Sequence, residues 1–123
     1  TTVRGVLEKD TGEAPFNSPA KLLDLLRAGD FGRWADPRHG GSIPVAFTHT
    51  VDITGGNSGS PALNAKGELI GIVFDGNFES LTADYVYDDT ITRCISVDIR
   101  YCLFLLERYD EAKELLAELG FRS

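Results

Sequence analysis

A mainly β domain with flanking helices and a helical C-terminal segment is the fold class this sequence predicts, and three observations predict it. A Gly/Ser-rich run, Thr54-Gly55-Gly56-Asn57-Ser58-Gly59-Ser60, lies between the apolar stretches Val51-Asp52-Ile53 and Pro61-Ala62-Leu63, which reads as strand, loop, strand. The turn Asn64-Ala65-Lys66-Gly67 then leads into Glu68-Leu69-Ile70-Gly71-Ile72-Val73-Phe74, a hairpin signal with Gly67 at the permissive position. From Ile99 to Leu119 the apolar residues recur at helical spacing, with a break at Tyr109-Asp110 and a stop at Gly120.

The remaining elements follow in chain order. Val3 to Glu8 reads as a strand and Thr11 to Pro15 as the loop after it. Ser18 is a good N-cap with Pro19 at the first helical position, and Leu22, Leu23, Leu25 and Leu26 form an apolar stripe ending near Gly29, so a helix is expected near 18–29. Ile43 to Phe47, Ala83 to Tyr87 and Thr92 to Val97 read as further strands. Residues 1–98 are therefore assigned to the β part and 99–123 to terminal helices that pack on it. A helix that instead binds a partner would look the same in sequence.

Composition narrows the function classes. A chain of 123 residues is one domain at most. Its net charge of −7, with no basic stripe, argues against nucleic acid, whose phosphates require clustered Lys and Arg. No apolar run approaches the ~18–20 residues of a membrane span, and no leader is readable at Thr1. Cys94 and Cys102 are too few for a disulfide framework and read as buried apolar thiols. No cofactor motif or metal-ligand cluster stands out; Asp84, Asp88 and Asp89 read as a solvated acidic loop.

The Gly/Ser-rich run carries the chemistry. A nucleophilic serine needs a tight turn that projects its hydroxyl beside backbone N–H groups able to face an oxyanion, and glycines on both sides permit that turn. The strand-to-helix elbow G-x-S-x-G fits less well, because Ser60 replaces its last glycine and Pro61 to Asn64 do not open a helix. The loop resembles that of serine peptidases built on chymotrypsin-like double β-barrels. The run Asp52 to Pro61, followed by Phe74-Asp75-Gly76-Asn77 and Ile95-Ser96-Val97-Asp98-Ile99-Arg100-Tyr101, with Arg4 to Lys9 and Asp30 to Arg33 upstream, is similar to the C-terminal region of the S46 family of bacterial dipeptidyl peptidases.

The resemblance implies the C-terminal barrel of such a pair, followed by a helical segment, in an enzyme several times longer than this chain. Ser58 would be the nucleophile and the N–H groups of Gly56 and Ser58 the oxyanion donors. Chymotrypsin-like enzymes order their triad His, Asp, Ser, so the base and its partner would lie upstream and this chain alone would be inactive. His39 accordingly reads as a solvated loop residue and His49 as a strand residue. Asn57 offers no carboxylate to a new N-terminus, so activation by N-terminal insertion is not implied. Asp75, at the end of an apolar strand where burial would demand a cation, would bind the substrate's free amine. Ile72, Val73 and Phe74 would form the pocket wall. Gly76, where the acid-specific branch of the family carries arginine, implies an apolar residue before the scissile bond. The substrates would be peptides, the whole enzyme a homodimer, and its location the periplasm or cell surface. A general trypsin-like endopeptidase and a catalytically silent peptide-binding module are the alternatives these residues leave open.

Overall fold

The computed structural model describes residues 1–82 and 87–121, which divide into two compact units, 46–99 and 1–45 together with the residues from 100 onward. The division falls between Ile99 and Arg100, and residues 1–45 group with the residues from 100 onward. Helices outnumber strands among the described residues, so the mainly β expectation fits only the central unit.

The central unit is a four-stranded antiparallel sheet in the order β1-β4-β3-β2, formed by β1 (Ala46–His49), β2 (Pro61–Leu63), β3 (Leu69–Gly76) and β4 (Cys94–Asp98). The β2–β3 hairpin falls where the Asn64–Gly67 turn predicted it: Gly67 N–H donates to Asn64 O at 2.9 Å with Gly67 at φ 77°. Val51 to Ile53, expected as a strand, has no regular structure, although half-buried Ile53 packs on the core cluster of Ala62, Val73 and Cys94. The strand expected at Ala83–Tyr87 falls largely outside the described residues. Gly71 marks a close approach: a β-carbon there would lie 2.6 Å from Val97 O and 2.8 Å from the Phe47 ring, which only glycine avoids.

The other unit begins with a correction. Val3 to Glu8 is helical, within α1 (Val3–Lys9), because Thr2 Oγ1 accepts from Gly5 N–H as a cap, Arg4 pairs with Glu8 at 2.6 Å, and Val3, Val6 and Leu7 lie on one face at helical spacing. Local capping and burial outweigh the β-branched Val3 and Val6 that suggested a strand and the low helix propensity of Gly5. In α2 (Ala20–Ala28) the cap is also corrected: Pro19 holds the N-cap position without a side-chain bond, whereas Ser18 donates its N–H to Asp10 Oδ1 at 2.8 Å. Gly29 ends this helix at φ 68°.

Helix α3 (Ile99–Phe104) widens into a π-type turn at Leu105–Tyr109, and α4 (Lys113–Glu118) follows a break at Glu111, φ 54°. Buried Phe31 meets buried Phe104 edge-on at 5.5 Å between ring centroids, and Trp34 meets Phe121 at 5.1 Å. Glu107 holds the end of this core in register, accepting from Trp34 Nε1 at 2.5 Å and Arg33 Nη2 at 2.7 Å. Asp36, 3% exposed, is a buried carboxylate that accepts from Arg38 Nη2 at 2.8 Å, pairs with Arg100, and lies 3.3 Å from His39 Nδ1. The Arg38 guanidinium holds its carboxyl well below the usual carboxylate range, outweighing the desolvation that would raise it, with the Arg38 N–H and Arg100 adding to the effect.

Candidate active site

The loop of 54–60 is built by its own residues. Asn57 closes it, donating its N–H to Thr54 O at 3.2 Å and accepting from Thr54 N–H on Oδ1 at 2.8 Å. Gly56 at φ 96° and Gly59 at φ 90° take conformations that side chains resist, which turns the chain sharply on either side of Ser58. Two bonds fasten the end of the loop to β3: Gly59 N–H to Val73 O at 2.8 Å and Val73 N–H to Ser60 O at 2.9 Å. Ser58 is exposed at this turn. Among the described residues nothing accepts from the N–H of Gly56 or of Ser58, so both amides remain available as donors.

A β-bulge shapes the opposite wall. Val73 pairs with Ser96 and Asp75 with Ile95, so Phe74 is an extra residue without a partner on β4. A regular strand would turn alternate side chains away. The bulge instead brings four consecutive residues, 73–76, to the edge of one depression of about 280 Å³, whose other side is formed by 53–58 and which Ser80 completes. Ser58, Gly56, Asp75, Gly76, Val73 and Phe74 are therefore brought together. Ile72, expected in the same wall, does not line it.

Asp75 differs from the expectation of a costly buried carboxylate. It is exposed, and its Oδ1 accepts from Gly76 N–H at 2.8 Å, while no described residue donates to Oδ2. Phe74 is 46% exposed and Val73 buried, so the wall offers both an open apolar surface and a fixed base. Ser80 was not singled out from sequence. Its signal was the turn-forming start Asn77-Phe78-Glu79-Ser80, since Asn77 O accepts from Ser80 N–H at 3.0 Å and opens a 3₁₀ turn at Phe78–Thr82.

His49 Nε2 lies 2.8 Å from the Oγ of fully buried Ser96, and burial pushes its pKa down; His39 pairs with Asp36. Among the described residues Cys94 and Cys102 form no disulfide; Cys94 is fully buried, which raises its pKa, and Cys102 is half-buried. Asp88 Oδ1 accepts from the N–H and hydroxyl of Thr90, closing its own turn, and Asp84 lies outside the described residues.

Comparison with known proteins extends this geometry. The family model described as Peptidase S46 matches residues 1–121. The chain is 52% identical over 120 residues to the dipeptidyl-peptidase 7 of Phocaeicola vulgatus, covering 97% of this chain and 16% of that protein. It is 41% identical over 139 residues to the Asp/Glu-specific dipeptidyl-peptidase of Shewanella putrefaciens, covering 97% and 19%. Among solved structures, the Porphyromonas endodontalis DPP11 in complex with the dipeptide Arg-Glu superposes with a TM-score of 0.92 at 39% identity, covering all of this chain and 18% of that one. The chain thus spans less than one-fifth of the length of these relatives. With a family match across nearly its whole length, the chain belongs to the Peptidase S46 family.

Proposed function

We propose that this chain is the nucleophile-bearing portion of a serine exopeptidase that releases dipeptides from free peptide N-termini. The observation that carries the reading is the placement of Ser58, between two positive-φ glycines and beside two unspent amides, on the same depression as the Asp75 carboxylate. The names of the relatives support it, since both are dipeptidyl-peptidases. The sheet unit would form part of the C-terminal member of a chymotrypsin-like barrel pair.

In this reading Ser58 Oγ bonds to the carbonyl carbon after the second substrate residue. Its proton passes to a histidine supplied from upstream of this chain, and the N–H groups of Gly56 and Ser58 take the oxyanion. Collapse of the tetrahedral intermediate expels the amine of the shortened peptide, and water then frees the dipeptide. Asp75 offers Oδ2 to the substrate's α-ammonium group, fixing cleavage two residues from the free end. Gly76 carries no side chain to pair with an acidic residue, and it stands beside Val73 and Phe74, so an apolar residue is preferred before the scissile bond. Because an Asp/Glu-specific enzyme is among the relatives, this preference rests on Gly76 and its neighbours rather than on overall similarity.

The test is a pair of substrates, one with a free amine and one N-acetylated. The full-length protein should cleave only the first, and Asp75→Ala should reduce kcat/KM on it by about 1.5–3 kcal/mol, the scale of losing a hydrogen bond to a charged group. Equal rates on both substrates before mutation would overturn the exopeptidase reading.

A further inference from the structure

The space beside Gly76 is already occupied. A β-carbon built at 76 would lie 2.1 Å from Ser80 Oγ and 3.0 Å from Ser80 Cβ, but an ordinary 3.6 Å from Arg93 O, so the crowding comes from Ser80 alone. Ser80 is held in place: its hydroxyl donates to Asn77 O at 2.6 Å, and its N–H donates to the same oxygen at 3.0 Å. Asn77 is in turn anchored to the segment entering β4. Its N–H donates to Arg93 O at 3.0 Å, its Oδ1 accepts from Arg93 N–H at 2.8 Å, and its Nδ2 donates to Ile91 O at 2.7 Å. Rotating the hydroxyl away from position 76 would break its bond and still leave Cβ at the limit of contact, while swinging the turn away would break the Asn77 anchors.

We infer that Ser80 is a second specificity-determining residue of this pocket and acts as a pair with Gly76. Its hydroxyl fills the volume that a side chain at 76 would enter, at the edge of the depression that Ser80 helps to line. Pocket depth is then set jointly: glycine at 76 leaves room only as far as Ser80, and any larger residue at 76 requires a smaller one at 80. The inference rests on the exopeptidase reading for its substrate, but its steric part does not depend on activity.

Two measurements on the full-length protein test it. In a thermal-unfolding cycle of wild type, Gly76→Ala, Ser80→Gly and the double variant, Gly76→Ala should lower Tm, and at least half of that loss should vanish in the Ser80→Gly background; additive shifts would overturn the pairing. In kinetics on dipeptidyl substrates with Ala, Leu or Phe before the scissile bond, Ser80→Val should lower the Phe-to-Ala ratio of kcat/KM by at least about tenfold, the scale of a methylene-sized misfit, and Ser80→Gly should raise it. General damage would reduce all three substrates together, so an unchanged ratio overturns the specificity role even if the unfolding cycle is non-additive. Failure of wild type to release any dipeptide would overturn the exopeptidase reading and the specificity role with it, whereas release with an unchanged ratio would overturn only the latter.

Discussion

The two units bury different kinds of side chain. In 1–45 with the C-terminal helices the buried positions include Phe31, Trp34, Ile43, Leu103 and Phe104, whereas among the described residues of 46–99 they are Ala62, Gly71, Val73, Thr92, Cys94, Ser96 and Asp98, and the large aromatics Phe74 and Phe78 are exposed. The helical unit therefore draws its stability from apolar volume, at roughly 1.5–3 kcal/mol for each large side chain taken from water. The sheet unit depends more on backbone pairing, small-residue contacts and turns that only glycine can make. The difference teaches where chemistry can sit: the unit that carries Ser58, the proposed nucleophile, leaves the Gly56 and Ser58 amides and two aromatic rings unspent, and unspent groups are what a substrate can use.

The sharpest way to break this comparison is to separate catalysis from folding. Ser58→Ala in the full-length protein should reduce kcat on a free-amine substrate by about 10⁶-fold, the scale of removing a serine nucleophile, while its unfolding free energy changes by less than about 0.5 kcal/mol, as for other exposed sites. Retained turnover would remove Ser58 from the mechanism. Phe104→Ala probes the opposite unit and should cost about 3–5 kcal/mol in denaturant unfolding, as expected for an aromatic lost from a packed core. A loss below 1 kcal/mol would mean that the helical unit is not held by its aromatics.

Within the sheet the vulnerable position should be a glycine rather than a large side chain. Gly71→Ala drives a methyl group into Val97 O and the Phe47 ring and should cost about 1–3 kcal/mol through overpacking; no change in Tm would show that the sheet yields there. The smallest effect concerns acid. Because the folded Asp36 carboxyl titrates below its unfolded value of about 3.9, its contribution is fully present above that value and is lost as pH falls toward the folded one. The stability difference between wild type and Asp36→Asn should thus shrink progressively below about pH 5. A difference that stays constant down to pH 2 would show that the Asp36 cluster contributes packing and not charge.

What could be read from the chain was what neighbouring residues decide among themselves. The Gly56 to Gly59 turn, the Asn64 to Gly67 hairpin, the stop at Gly29 and the two-part C-terminal helix with its break near Asp110 all depend on backbone preferences and periodicity within a few residues. Where local signals conflicted, the reading failed: Val3 and Val6 suggested a strand, but Thr2 and the Arg4–Glu8 pair made a helix. Other features depend on residues far apart in sequence and had no local signature. Strand β4 lies between β1 and β3 although it follows both in the chain. The bulge at Phe74, which brings Asp75 and Gly76 to the depression beside Val73, exists only in the pairing of β3 with β4. Ser80 stands against Gly76 because Asn77 is fastened to Arg93. The sequence by itself determined which residues can turn, cap and react; tertiary structure decided which of them share a surface, because strand register and close approach are set by partners that local preference does not choose.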